Sequence, residues 1–130
     1  MIVVACAIIQ DRDKFLICQR SCSMTLPLKW EFPGGKVEPG EDEQLSIVRE
    51  IREELQLDIS VVRQLTAVEY DYPSFRIRLI PFLARVIGGS LRLQEHAESK
   101  WVETDDLDQY DWAPADLPIV AQLKAANTAE

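Results

Sequence analysis

Phe32-Pro33-Gly34-Gly35-Lys36-Val37-Glu38-Pro39-Gly40-Glu41, followed after seven residues by Arg49-Glu50-Ile51-Arg52-Glu53-Glu54, is the stretch on which the reading of this chain turns. Prolines and glycines interrupt the first half, which predicts an irregular segment from Gly34 to Gly40. In the second half Leu45, Val48, Ile51 and Leu55 recur at helical intervals. That spacing predicts a helix over 41–55 with those four side chains toward a core, and acidic residues fill its first turn, where they suit the helix dipole. Glu50, Glu53 and Glu54 stand at i, i+3 and i+4, so they share one face, roughly opposite the apolar stripe.

Like charges so placed repel. A solvated acidic face, laced by Arg49 to Glu53, would tolerate the repulsion at roughly a few tenths of a kcal/mol. The other reading is that hard divalent cations, Mg²⁺ above all, neutralise the carboxylates through oxygen ligands and keep waters free for a phosphate. The loop favours the second. Glycines let the main chain approach a ligand closely and turn carbonyls or amides toward it.

Gly35, five residues, Glu41, seven residues, Arg49-Glu50, then Glu53-Glu54 resembles the Nudix box, which here runs from Gly35 to Leu57. With average residue usage the pattern would arise by chance in a chain this long on the order of once in a hundred thousand. Outside the box, Arg20, the Trp30-Glu31-Phe32-Pro33-Gly34 approach and the strand pattern are also similar to the MutT group of that family. The resemblance implies an α+β Nudix fold, an α/β/α sandwich with a mixed curved β-sheet between the box helix and a C-terminal helix. It implies hydrolysis of a nucleoside triphosphate to the monophosphate and pyrophosphate, with Mg²⁺ as cofactor and Mn²⁺ as a substitute.

Site residues follow from the same resemblance. Glu50 and Glu54 are the expected metal ligands, joined by a main-chain carbonyl at Gly34 or Gly35, with Glu53 as a further ligand or the base and Arg49 orienting the carboxylates. Glu95, six residues before Trp101, matches a loop glutamate that reaches the metals or the attacking water. Arg20 matches a nucleotide-contacting arginine. Glu31, Phe32, Pro33, Gly34 and Lys36 belong to the expected substrate side, Lys36 serving phosphate charge balance or pairing with a glutamate. Asp116 stands where the MutT group has a base-reading asparagine, and Pro114-Ala115-Asp116 is closer to the branch that acts on cytidine-type and oxidised guanine nucleotides. One departure is Gln56 in place of the family's glycine. A left-handed cap there would cost a non-glycine residue about 1–2 kcal/mol, so the helix is expected to end in a different way.

The remaining chain reads as a hairpin of Ile2–Gln10 and Lys14–Arg20, a loop over 21–29, and a short strand at Trp30–Phe32. Strands at Ser60–Tyr72 and Phe75–Ile87 are joined by Pro73-Ser74, and another lies at Ser99–Glu103. Asp116 reads as the N-cap of a last helix over Leu117–Ala126. His96, the only histidine, reads as a loop or surface residue.

A chain of 130 residues with 47% hydrophobic content and no linker or repeat fits a single domain over 1–130. Fourteen basic against twenty-two acidic residues give a net charge of -8, which repels polymeric nucleic acid and anionic membrane surfaces. The apolar run Ile2–Ile9 is too short to span a bilayer and no basic segment precedes it, so neither export nor a membrane partner is expected. Cys6, Cys18 and Cys22 form neither a disulfide framework nor a zinc pattern, as suits a reduced cytoplasmic protein. The chain is expected to be a monomer or homodimer. Two rival readings, a hydrolase of nucleoside diphosphate derivatives such as ADP-ribose and a non-catalytic Nudix-like module, fit the short chain and the intact set of box glutamates less well.

Overall fold

The structure, a computed structural model, describes residues 1–128, so the last two positions of the 1–130 domain reading lie outside the described residues. Its elements are β1 (Ile2–Asp11), β2 (Lys14–Gln19), β3 (Trp30–Glu31), β4 (Gly34–Lys36), α1 (Glu43–Leu55), β5 (Leu57–Gln64), β6 (Val68–Tyr72), β7 (Phe75–Gly89), β8 (Glu98–Glu103) and α2 (Leu117–Thr128). Two 3₁₀ turns, Thr104–Gln109 and Pro114–Asp116, precede α2.

β1 is an unbroken apolar run because it is buried on both faces. Ala5, Ala7 and Ile9 meet one layer while Cys6 and Ile8 meet the other. β1 pairs in parallel with β7 from Ile2↔Ile77 to Ile9↔Ala84, the other pairings are antiparallel, and the main strand order is β3-β2-β1-β7-β5. On one face Ile47, Ile51 and Leu55 of α1 pack against Ala5, Ile9, Ile80 and Phe82. On the other, Ile119, Val120 and Leu123 of α2 cover Ile8, Phe15, Leu79 and Val102. The expected mixed-sheet α/β/α sandwich is therefore present. Each fully buried Ile or Leu of α1 contributes about 1.5–3 kcal/mol, enough to hold a helix whose outer side is charged.

Both flanks of the central pair are forked. One edge of β1 pairs with β4 at Val4–Cys6 and with β2 at Gln10–Asp11. The far edge of β7 pairs with β6 at Phe75–Leu79 and with β5 from Phe82 onward. This splaying leaves room for a pocket beside β4, β6 and the start of α2. Among the described residues no helix is long and apolar enough to cross a membrane. Cys6 and Cys18 are buried free thiols and Cys22 is an exposed one.

Several local expectations are corrected. Gly34–Lys36 is a strand rather than an irregular segment. A Cβ on Gly34 would lie 2.0 Å from the Ala5 carbonyl oxygen, so the missing side chain is what lets this stretch lie against β1. Ser60–Tyr72 is two strands, because β5 and β6 pair with different parts of β7. The buried stripe of α1 is Ile47, Ile51 and Leu55, whereas Leu45 is 68% exposed. At 100° per residue Glu54 stands about 20° from Ile47, so the acidic face flanks the core instead of opposing it.

Gln56 does take the left-handed cap, with φ 56° and ψ 32°. Its N–H donates to Arg52, and a neighbouring segment satisfies the last carbonyls of the helix. Ser90 N–H donates to Gln56 O, Arg92 N–H to Leu55 O and Gln94 N–H to Glu54 O. These bonds offset the backbone strain, since terminal carbonyls otherwise lack partners. Gly89, with φ 83°, makes the close approach possible, because a Cβ there would meet Gln56 O at 2.3 Å. Asp116 is not the N-cap of α2, which continues directly from the Pro114–Asp116 turn capped by Ala113.

Candidate active site

α1 starts from Asp42, whose carboxylate accepts from Leu45 N–H, and it points its acids toward the β4 glycines. Glu50 lies against Gly35 so closely that a Cβ there would sit 2.4 Å from the carboxylate. Arg49 organises the neighbouring charges. Its Nε and Nη2 donate to the two oxygens of Glu41 at 2.9 and 3.0 Å, and its Nη1 donates to Glu50 and Glu53 at 3.2 Å each. That fork holds the Glu41 carboxyl down at about 2.

Glu54 is the acid most withdrawn from water. Burial pushes its carboxyl up to about 7, His96 opposes the shift, and the charges of Glu50, Glu31 and Glu95 add to it. Burial also raises Glu50, against the opposing pull of Arg49. Glu53 is more than half exposed, and Glu95 is exposed on the segment after β7. Among the described residues no three His, Cys, Asp or Glu side chains already converge as a ligand set. Glu50 and Glu53 turn toward Arg49 instead.

A pocket of about 370 Å³ opens beside these acids, and Glu54, Gly34, Gly35, Lys36 and Asp116 are among the residues that line it. Asp116 is 5% exposed. Burial drives its carboxyl well above the usual range and Glu31 adds to that, while the Phe32 N–H, which donates to it, and the Arg20 charge oppose. Phe32 is buried and stacks on Trp112 with ring centroids 4.9 Å apart. Arg20 Nη1 donates to Glu31 at 2.7 Å, and its other nitrogens bind Thr25.

The pocket thus brings together Arg20, Glu31, Phe32, Gly34, Lys36 and Asp116. Pro33 does not line it: it is fully buried, and its carbonyl accepts from Ala7 N–H at 2.8 Å. His96 is no surface residue. Its side chain is 1% exposed and bonded to Glu31. Sequence reasoning missed the aromatic wall, in which Tyr72 lies 4.7 Å from Tyr70 and 5.0 Å from Phe75 by ring centroids. The clustering of three aromatics around the Pro73-Ser74 turn was the available signal. It also missed Met24, Thr25 and Leu26 over the pocket, for which a polar loop gives no cue.

A sandwich whose helix acids meet a glycine strand beside a pocket suits the cleavage of phosphoanhydrides. The NUDIX domain pattern matches residues 1–123, and the chain belongs to that family. It is 34% identical over 129 residues to the CTP pyrophosphohydrolase of Escherichia coli (strain K12), covering 99% of this chain and 96% of that protein. It is 30% identical to the 8-oxo-dGTP diphosphatase of the same organism over 88% of each chain. The solution structure of the E. coli ORF135 protein superposes with a TM-score of 0.86 at 34% identity, over 100% of this chain and 93% of that one.

Proposed function

We propose that the protein hydrolyses a nucleoside triphosphate to the monophosphate and pyrophosphate, with Mg²⁺ as its cofactor and Mn²⁺ as a substitute. One arrangement carries this reading: half-buried Glu54 and the Gly34-Gly35 strand, against which Glu50 packs, share one pocket with buried Asp116. The pocket thus offers an acid suited to metal-bound phosphates and a separate group suited to a base. The names of the relatives support both the reaction and the substrate class, cytidine-type or oxidised guanine nucleotides.

Nudix enzymes generally use a divalent cation, and the residues fit one. The donors are hard carboxylate oxygens, Gly35 leaves space for Glu50 against the main chain, and Glu54, its carboxyl raised first by burial and then by the charges of Glu50, Glu31 and Glu95, would be relieved by a cation. Glu50, Glu53, Glu54, Glu95 and a carbonyl of Gly34 or Gly35 would hold the ion. Bound there, it supplies positive charge to phosphate oxygens and acidifies water. Arg49 holds Glu50 and Glu53 in register, and Lys36 balances phosphate charge at the pocket rim. Arg20 and Glu31 flank the nucleoside, against the apolar wall of Phe32. Asp116 reads the base: its protonated form donates to a purine carbonyl oxygen, and its ionised form accepts from an exocyclic amine.

Purified protein with Mg²⁺ should release pyrophosphate from one or more of dCTP, CTP, 5-methyl-dCTP and 8-oxo-dGTP. Glu54→Gln and Glu53→Gln should each lose at least about 100-fold in rate. Orthophosphate as the only product would overturn the assigned bond.

A further inference from the structure

Arg20, Glu31 and His96 form a line of side chains that the acids of α1 do not account for. Arg20 Nη1 donates to Glu31 Oε1 at 2.7 Å, and His96 Nε2 donates to Glu31 Oε2 at 2.8 Å. A carboxylate only accepts, so the imidazole proton is on Nε2. The other ring nitrogen, Nδ1, is buried with no hydrogen-bond partner. Leaving that atom unsatisfied opposes folding, whereas a leucine would fill similar space without it. Packing alone therefore does not explain a histidine here.

The line runs across three segments that are neighbours in one sheet, where β2 pairs with both β3 and β8. Arg20 holds the loop over the pocket through Thr25, Glu31 sits on β3 just before Gly34, and His96 belongs to the segment between β7 and β8. Main-chain bonds already fix that last segment on both sides, from Gln94 N–H to Glu54 O and from Ala97 N–H to Gln19 O. Between these anchors lie only Glu95 and His96. The charge of Glu95 acts on Glu54, and the His96 side chain is what ties this short span to the pocket wall.

We propose that His96 is a positioning residue: through Glu31 it keeps Glu95 in register with Arg20 and the nucleoside pocket. The inference rests on the reading of the site as a nucleotide hydrolase. A bound nucleoside and the acids that act on its phosphates are then aligned by one shared carboxylate. Removing the imidazole leaves both main-chain anchors in place, so the fold should survive while the alignment is lost.

Three substitutions separate this role from packing. The amide nitrogen of glutamine reaches about as far as Nε2, that of asparagine only as far as Nδ1, and leucine fills volume without donating. His96→Gln should stay within about 3-fold of wild-type kcat, while His96→Asn and His96→Leu should fall about 10- to 100-fold in kcat and raise KM for dCTP. Leucine matching glutamine would overturn the proposal, as would glutamine falling as far as leucine. Because His96 is the only histidine, ¹⁵N-histidine labelling gives a single imidazole spectrum that needs no variant. It should show a proton on Nε2, and a ring protonated on Nδ1 alone would overturn the proposal. Failure of the wild-type protein to hydrolyse any nucleotide would instead remove the underlying reading of the site, and the spectrum would still decide whether the Glu31–His96 bond exists.

Discussion

Gly34 and Gly35 are adjacent, yet their missing side chains serve different purposes. A Cβ on Gly34 would strike the main chain of β1, which cannot give way, whereas one on Gly35 would strike the flexible end of Glu50. Gly34→Ala should therefore lose stability, by about 1–3 kcal/mol in urea unfolding. Gly35→Ala should instead keep its unfolding midpoint nearly unchanged and lose at least about 10-fold in pyrophosphate release, because Glu50 is pushed off its position. Asp116 supplies a second test. Asparagine cannot switch between donor and acceptor by protonation, so Asp116→Asn should change the ranking of dCTP against 8-oxo-dGTP in kcat/KM. An unchanged ranking would remove the base-reading role.

At the scale of the element, the end of α1 shows how a helix tolerates an unfavourable residue. Gln56 occupies the left-handed region while three N–H groups from residues 90–94 bind the carbonyls around it. The strain is local and the compensation is tertiary. Gln56→Gly should raise stability by about 1 kcal/mol in thermal or urea unfolding, since the bonds remain and the strain is relieved. Gly89→Ala should do the reverse, because its Cβ would press on the Gln56 carbonyl. The bonds that hold this cap also fix the segment bearing Glu95, so the helix end and the loop acid are one unit.

For the whole molecule the raised and lowered carboxyls oppose one another across the pH range. Glu54 binds its proton up to about 7 in the folded chain against an ordinary value of 4.5, so its contribution to stability is full below about 4.5 and is lost as pH rises through about 7. Buried Asp116 acts in the same sense. Glu41 acts in the other: its contribution is present above 4.5 and is lost as pH falls through about 2. Metal-free protein should accordingly lose stability between about pH 5 and 8, on the order of 1–2 kcal/mol from Glu54 once its partial solvent screening is counted. Denaturant titrations at the two pH values measure this slope, and Glu54→Gln, which keeps the Asp116 part, should show a shallower one.

The order of residues alone determined the box helix, the central apolar strand and the acids at helical spacing, because periodicity and spacing are local properties of a chain. It also placed Arg20, Glu31 and Asp116 among the candidates through a pattern shared with a family. What lay beyond it depended on long-range neighbours. β4 is a strand because Ala5 lies beside Gly34, Gln56 is held in its cap by residues 90–94, and His96 is buried because Glu31 stands opposite it. The core face of α1 shifted from Leu45 to Ile47 for the same reason. Local pattern fixes which residues can share a face, but only the packed neighbours decide which face is dry, and with it which carboxyl is pressed toward neutrality.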